Sequence, residues 1–278
     1  MKVNIVFEGG GIKGIAYLGV LKFLEERGIQ IAKIGGTSIG AIMASLVAVG
    51  YNSQELEAII DNFDYSVLKY FEKEKTTERI LNSLKGAGIY SLQDFEAYME
   101  KLLERKNKTK FLDLKVGEDY RLKIVVAEWT KKEKMIIPND LKKININADT
   151  FPIAKAATMS ASIPLFYRYY KINEYRFLDG GVVSNFPLDL FSKSKNPTWG
   201  FCVNLKPLDQ MKLIKMFRKK IFKIDDDLEY NNYEIININT FKIKATNYRG
   251  GLAIKEQLIH SGYESTKRFF YKNILNKG

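Results

Sequence analysis

The feature that most constrains this chain is a unit that occurs twice near its start: a short apolar strand, a cluster of glycines, then a helical run. Val3 to Phe7 reads as a buried strand. It is followed by Gly9-Gly10-Gly11-Ile12-Lys13-Gly14 and by a helix from about Gly14 to Arg27 with Ile15, Leu18, Leu21 and Leu24 on one face. Ile31 to Ile34 reads as a second strand, running into Gly35-Gly36-Thr37-Ser38-Ile39-Gly40 and the small-residue helix Ala41 to Val49. Two strand, tight turn and helix units in succession predict a parallel sheet with helices packed on its faces.

The rest of the chain extends that scheme. Helices are expected from Ser53 to Phe63, opened by Asn52 and Glu55 as a capping box, and from Ser91 to Glu104. Strands follow near Arg121 to Trp129 and Lys134 to Ile137, a helix near Ile153 to Ser160, strands near Tyr175 to Leu178 and Thr198 to Leu205, and a helical C-terminus from Gly251 to Leu275. An apolar content of 46% supplies a sizeable core. No repeat of solenoid period and no low-complexity linker interrupts it, so residues 1–278 read as one domain, with a motif-bearing core over about 2–190 and residues 191–278 as its C-terminal part.

Charge and cysteine usage narrow the setting. A net charge of +12, from 44 basic and 32 acidic residues, favours anionic partners, either nucleic acid or the headgroups of an acidic bilayer. One cysteine, Cys202, excludes an intrachain disulfide and suits a reducing compartment; lying in an apolar run, it reads as a buried core thiol. Met1 to Glu8 enters the glycine cluster before a signal-peptide core forms. The longest weakly polar stretch, Ile39 to Val49, is too short for a bilayer span, which takes roughly 20 residues. The expectation is a cytoplasmic protein whose membrane contact is at most peripheral. The candidate for such contact is Met211 to Ile224, where Leu213, Ile214, Phe217, Ile221 and Ile224 share one helical face and Lys212, Lys215, Arg218, Lys219, Lys220 and Lys223 occupy the rest. The same pattern also describes a surface helix packed on the core with solvated lysines.

Chemistry concentrates in three places. Gly36-Thr37-Ser38-Ile39-Gly40 is a Gly-x-Ser-x-Gly pentapeptide at a strand-to-helix turn, where flanking glycines allow a turn sharp enough to present the hydroxyl, and the following helix directs its positive end at it. Backbone amides of Gly9, Gly10, Gly11 and Gly14 are placed to meet an oxyanion, with Lys13 either beside that charge or solvated at the surface. A serine hydroxyl needs a base, and the chain has one histidine, His260, which sits in an amphipathic helical stretch and reads as structural or surface. Asp179, in Leu178-Asp179-Gly180-Gly181 at a strand end, is the better candidate; as a bare dipeptide it also reads as an Asp-Gly turn. Asp225-Asp226-Asp227 reads as a solvated acidic run, and no His, Cys and carboxylate spacing suggests a metal.

Two other readings stand beside a serine acyl hydrolase. Gly9, Gly11 and Gly14 also satisfy Gly-x-Gly-x-x-Gly, the mark of a nicotinamide-dependent oxidoreductase, but the second strand ends in Gly35-Gly36 with no carboxylate to grip a ribose. A non-enzymatic nucleic-acid-binding protein rests on net charge alone, with no recognition motif, so nucleic acid is not the expected partner.

Taken together the motifs resemble the patatin-like phospholipase family. Gly9 to Gly14 is similar to its Gly-Gly-Gly-x-Lys/Arg-Gly oxyanion loop, Gly36 to Gly40 to its nucleophile elbow, and Asp179-Gly180-Gly181 to its Asp-Gly-Gly/Ala. Ala157 to Phe166 resembles its Ala-Ser-x-x-x-Pro-x-x-Phe segment and Asn185-Phe186-Pro187 its Asn-x-Pro, all in family order. The resemblance implies a three-layer α/β/α sandwich with a mostly parallel central sheet, a Ser-Asp dyad that uses neither histidine, metal nor cofactor, and hydrolysis of acyl esters of phospholipids or related lipids. Ser160 and Ser162 fall in its packing segment. Glu8 departs from the Asp of many members.

Overall fold

The computed structural model describes residues 1–64, 92–164, 166–204, 218–223 and 233–273. In chain order its main elements are β1 (Lys2–Phe7), α1 (Ala16–Glu26), β2 (Gln30–Gly36), α2 (Ile39–Val49), α3 (Ser53–Asn62), α4 (Gln93–Glu104), β3 (Leu122–Glu128), β4 (Glu133–Ile137), α5 (Ile153–Ser160), β5 (Tyr170–Ile172), β6 (Tyr175–Asp179), β7 (Thr198–Cys202), β8 (Glu234–Asn237), α6 (Tyr248–Ala253) and α7 (Lys255–Asn273). They build an α/β sandwich about a mixed, mostly parallel sheet ordered β8-β7-β1-β2-β3-β6-β5, with β4 also paired to β3. The run from β8 to β3 is parallel; β4, β5 and β6 enter antiparallel.

Strand β1 sets the layers by alternation. Val3, Ile5 and Phe7 join the larger core, which holds the buried faces of α1, α2, α4, α5 and α7, whereas Val6 joins a second cluster with Val125, Ala127, Phe186 and Leu190. The first face of the sheet is thus α-helical. Among the described residues the second is covered by short 3₁₀ turns at Gly180–Val182 and Leu188–Phe191 and by a π-helical turn at Arg218–Phe222. α7 packs along α1, and the fully buried Trp199 of β7 meets Phe269 of α7 edge-on at 5.2 Å, which ties the end of the chain to its beginning.

One register detail positions the site. Val126 of β3 pairs with both Met135 of β4 and Asp179 of β6, and Ile124 with both Ile137 of β4 and Gly36 of β2. β2 and β6 therefore lie on the same edge of β3, opposite β4, and their C-terminal ends meet. Continuing the β2 register two residues past Gly36 reaches Val126, the partner of Asp179.

Several expectations shift. The first helix begins at Ala16 rather than Gly14, because Gly11–Ile15 tighten into a 3₁₀ turn. The helical C-terminus divides at Ile254 into α6 and α7, and residues 274 and 275 lie outside the described residues, as do Ser91 and Leu205. The capping box on α3 forms in full, Asn52 accepting from the Glu55 amide and Glu55 from the Asn52 amide. Of the basic stretch Met211–Ile224, residues 211–217 and 224 lie outside the described residues, as does the run 225–227. Within the described turn Phe222, absent from the expected apolar face, is buried edge-on against Trp129 at 5.9 Å; Ile221 is half-buried, and Lys219, Lys220 and Lys223 are exposed.

Candidate active site

Ser38 sits between β2 and α2 with φ 54° and ψ −124°, in the positive-φ region that a side-chain-bearing residue enters at a cost of order 1–3 kcal/mol. Close packing enforces the turn. A Cβ on Gly36 would come within 2.6 Å of the Phe7 carbonyl oxygen, and one on Gly40 within 2.4 Å of the same atom, so both positions require glycine for the elbow to lie on β1. Three ties hold it from the other side. The Ser38 amide donates to Ser160 Oγ at 2.9 Å, Ser160 Oγ–H donates to the Val125 carbonyl at 2.7 Å, and Thr37 Oγ1 donates to the Ser184 carbonyl at 2.8 Å.

Asp179 is brought to Ser38 by the meeting of β2 and β6 and is fixed by the same segment that braces the serine. Its amide donates to the Ser162 carbonyl at 2.9 Å, so residues 160–162 hold both members of the pair. Its Oδ1 accepts from the Gly181 amide at 2.7 Å, while Oδ2 is buried without a hydrogen bond of regular geometry among the described residues. Burial pushes the carboxyl up to about 6; the neighbouring Ser38 hydroxyl and the Gly181 amide oppose that rise. A buried carboxylate with one unsatisfied oxygen beside a serine hydroxyl is a proton acceptor suited to neutral pH. His260, by contrast, is exposed on α7 and does not line the cavity at Ser38.

The glycine loop is clamped by a buried polar network. The Gly9 amide donates to the Asn185 carbonyl at 3.0 Å, and the Gly9 carbonyl accepts from Asn185 Nδ2 at 3.0 Å and Asn204 Nδ2 at 2.7 Å. The Ile12 amide donates to the Ala245 carbonyl at 3.0 Å, and Gly11, at φ 56°, lies so close that a Cβ there would meet that oxygen at 2.2 Å. With Gly9 and Ile12 so engaged, the amides of Gly10 and Gly11 donate to no group among the described residues, and Gly11 and Gly14 line the same cavity as Ser38. Lys13 is not a surface lysine; it is buried, with Nζ 2.8 Å from Asn204 Oδ1. Glu8 is buried as well, its Oε2 accepting from the amides of Val203 and Asn204 at 2.9 and 3.0 Å, and burial raises its pKa against the hydrogen bonds from Cys202, Asn204 and Val203. Cys202 itself is buried, and burial pushes its thiol well up.

From Ser38 an apolar cavity extends between α2, α3 and α4, lined by Ile39, Ile42, Met43 and Leu46, by Leu56, Ile59 and Ile60, by Phe95, Met99 and Leu102, and by Ile163, Tyr167 and Tyr248. Among the described residues no cluster of three or more His, Cys, Asp or Glu is arranged to hold a metal, and no helix is long and apolar enough to cross a membrane.

The family model for Patatin-like phospholipase matches residues 5–192. The chain belongs to that family. Membership places it among lipid hydrolases. This patatin-like chain is 35% identical over 226 residues to "Uncharacterized protein YqhO" of Bacillus subtilis (strain 168), covering 78% of the chain and 76% of the relative. It is 24% identical over 193 residues to "Probable lipid hydrolase 463L" of Invertebrate iridescent virus 6, covering 69% of the chain and 64% of that relative. Its fold is similar to the crystal structure of VipD from Legionella pneumophila, with a TM-score of 0.59 at 18% identity, over 97% of this chain and 67% of that one.

Sequence reasoning missed the cavity lining, since α3 and α4 read only as helical cover, and it gave Ser160 a packing role without its hydrogen bond to the Ser38 amide. Asn204 carried no local signal at all: its partners Gly9 and Lys13 are 195 and 191 residues away.

Proposed function

We propose that this patatin-like hydrolase cleaves acyl esters of lipids through Ser38 and Asp179, with the acyl chain in the cavity between α2, α3 and α4. The observation that carries the proposal is a positive-φ serine that lines that cavity, beside a buried carboxylate with an unsatisfied oxygen. In the first half-reaction the Ser38 proton passes to Asp179 as Oγ bonds to the ester carbonyl carbon, and the Gly10 and Gly11 amides hold the oxyanion. Collapse breaks the ester C–O bond, the leaving alkoxide takes the proton from Asp179, and an acyl-enzyme remains. Water then attacks with Asp179 as base, releasing the fatty acid and restoring Ser38. Gly9 orients the loop rather than donating to the oxyanion, since its amide is bound to Asn185.

Such substrates reside in bilayers, so the proposal includes peripheral membrane contact by a cytoplasmic protein. The joining of β7 and β8 to the sheet that contains β1 supports treating residues 1–278 as one catalytic domain. A fluorophosphonate probe should label Ser38; Ser38→Ala should lose both label and turnover, Asp179→Asn turnover, and His260→Ala neither. Labelling of another serine, or a folded His260→Ala protein without activity, refutes the dyad.

A further inference from the structure

We infer that the turn at Asn239–Lys244 is an interfacial anchor that docks the active-site edge of the protein on an anionic lipid surface. β8 runs parallel to β7 and β1, so the segment that follows it leaves the sheet at the same C-terminal edge as the glycine loop after β1 and Ser38 after β2. The segment then touches the site itself: the Ala245 carbonyl receives the Ile12 amide, and Tyr248 lines the cavity that Ser38 lines.

The turn is rigid at its base and strained at its tip. Thr240 is buried, donating through Oγ1 to the Val203 carbonyl at 3.1 Å; the Asn239 carbonyl accepts from Ser261 Oγ at 2.8 Å, and Asn239 Oδ1 from the Phe241 amide at 3.0 Å. At the tip Phe241 and Lys242 are both left-handed, with φ 52° and 56°. A bulky aromatic is a rare occupant of that region, and Phe241 gains little packing in return, since 45% of it is exposed. An aromatic held out on a firm base, in the segment that touches the glycine loop, fits the interfacial zone of a bilayer, where rings of this kind settle.

Charge selects the kind of bilayer. Lys242, Lys244 and Arg249 are exposed and form no salt bridge among the described residues, and residues 235–255 contain no Asp or Glu. Three exposed cations within eight residues of one exposed ring match an anionic headgroup layer rather than a neutral one. The inference takes the nature of the surface from the lipid-hydrolase reading, whereas the binding itself needs neither Ser38 nor Asp179.

The test uses Ser38→Ala protein, so that the vesicles stay intact, sedimented with phosphatidylcholine vesicles and with phosphatidylcholine mixed with phosphatidylglycerol. Binding should require phosphatidylglycerol and weaken in high salt. The triple reversal Lys242→Glu, Lys244→Glu, Arg249→Glu should reduce binding on the order of a hundredfold or more. Phe241→Asn, which suits the left-handed backbone and so spares the fold, should weaken it about tenfold. A tryptophan introduced as Phe241→Trp should shift its emission to the blue on anionic vesicles only. In a separate arm, turnover of a soluble short-chain ester by protein that retains Ser38 should be unaffected by Phe241→Asn and by the triple reversal. Unchanged vesicle binding in both variants, or equal loss of soluble-ester turnover, overturns the anchor. If the soluble ester is not cleaved by the unaltered chain, the hydrolase reading fails, and the vesicle arm still decides the anchor.

Discussion

Replacing Asp179 with asparagine should abolish turnover and yet make the protein more stable at neutral pH. The carboxyl is pushed up to about 6 in the folded protein from the ordinary aspartate value of 3.8, and burial is the main cause. A raised carboxyl means that the folded state binds its proton more tightly than the unfolded chain does. The stabilising contribution is therefore complete below about pH 3.8 and is lost as pH rises through about 6. The total, about two pKa units at 1.36 kcal/mol each, is on the order of 3 kcal/mol, of which roughly 2 kcal/mol falls between about pH 4.5 and about pH 8. Asparagine keeps an oxygen for the Gly181 amide and has no charge to bury. Urea unfolding of both proteins across that pH range should show the stability difference shifting by about 2 kcal/mol in favour of Asp179→Asn at the alkaline end, with equal m-values. A difference that is flat with pH, or that shifts toward aspartate as pH rises, would refute the claim that an ionised, desolvated carboxylate is held at this position.

The same proton governs activity: turnover of a soluble ester should fall as pH drops through about 6, because protonated Asp179 cannot accept from Ser38, and a profile flat down to about pH 4.5 would contradict its role as base. Ser160→Ala removes the acceptor for the Ser38 amide and the donor to the Val125 carbonyl; it should cost about 1–3 kcal/mol in unfolding free energy and lower kcat well beyond any change in KM. Leu46→Trp fills the cavity some eight residues along α2 from Ser38, roughly 12 Å away at 1.5 Å per residue, so kcat/KM should fall for long acyl chains and hold for short ones. A uniform loss across chain lengths would place the acyl group elsewhere.

The parts of this molecule that were legible in its sequence are those written locally. The two opening strand, turn and helix units declare themselves through periodicity and glycine, and α5 falls at Ile153–Ser160 as expected, following Pro152. The short strands β5 and β8 went unread because three or four residues carry too little alternation to separate from loop. β7 stops at Cys202 rather than running on to Leu205 because the next two amides turn to the Glu8 carboxylate, a partner 195 and 196 residues away. Of the site, Ser38, Asp179 and the glycine loop stood out by motif. Lys13 did not betray its burial, since that depends on Asn204, and the cavity depends on how α3 and α4 close over α2, which no residue pattern within either helix states.

Synthesis proceeds from the glycine loop toward the residues that clamp it. The first strand and Ser38 leave the ribosome early, but Asn185, Asn204 and Ala245, which fix the peptide groups around Gly9 and Ile12, are made much later. The peptide groups around Gly9 and Ile12 thus depend for their order on residues that follow Ser38 by well over a hundred positions.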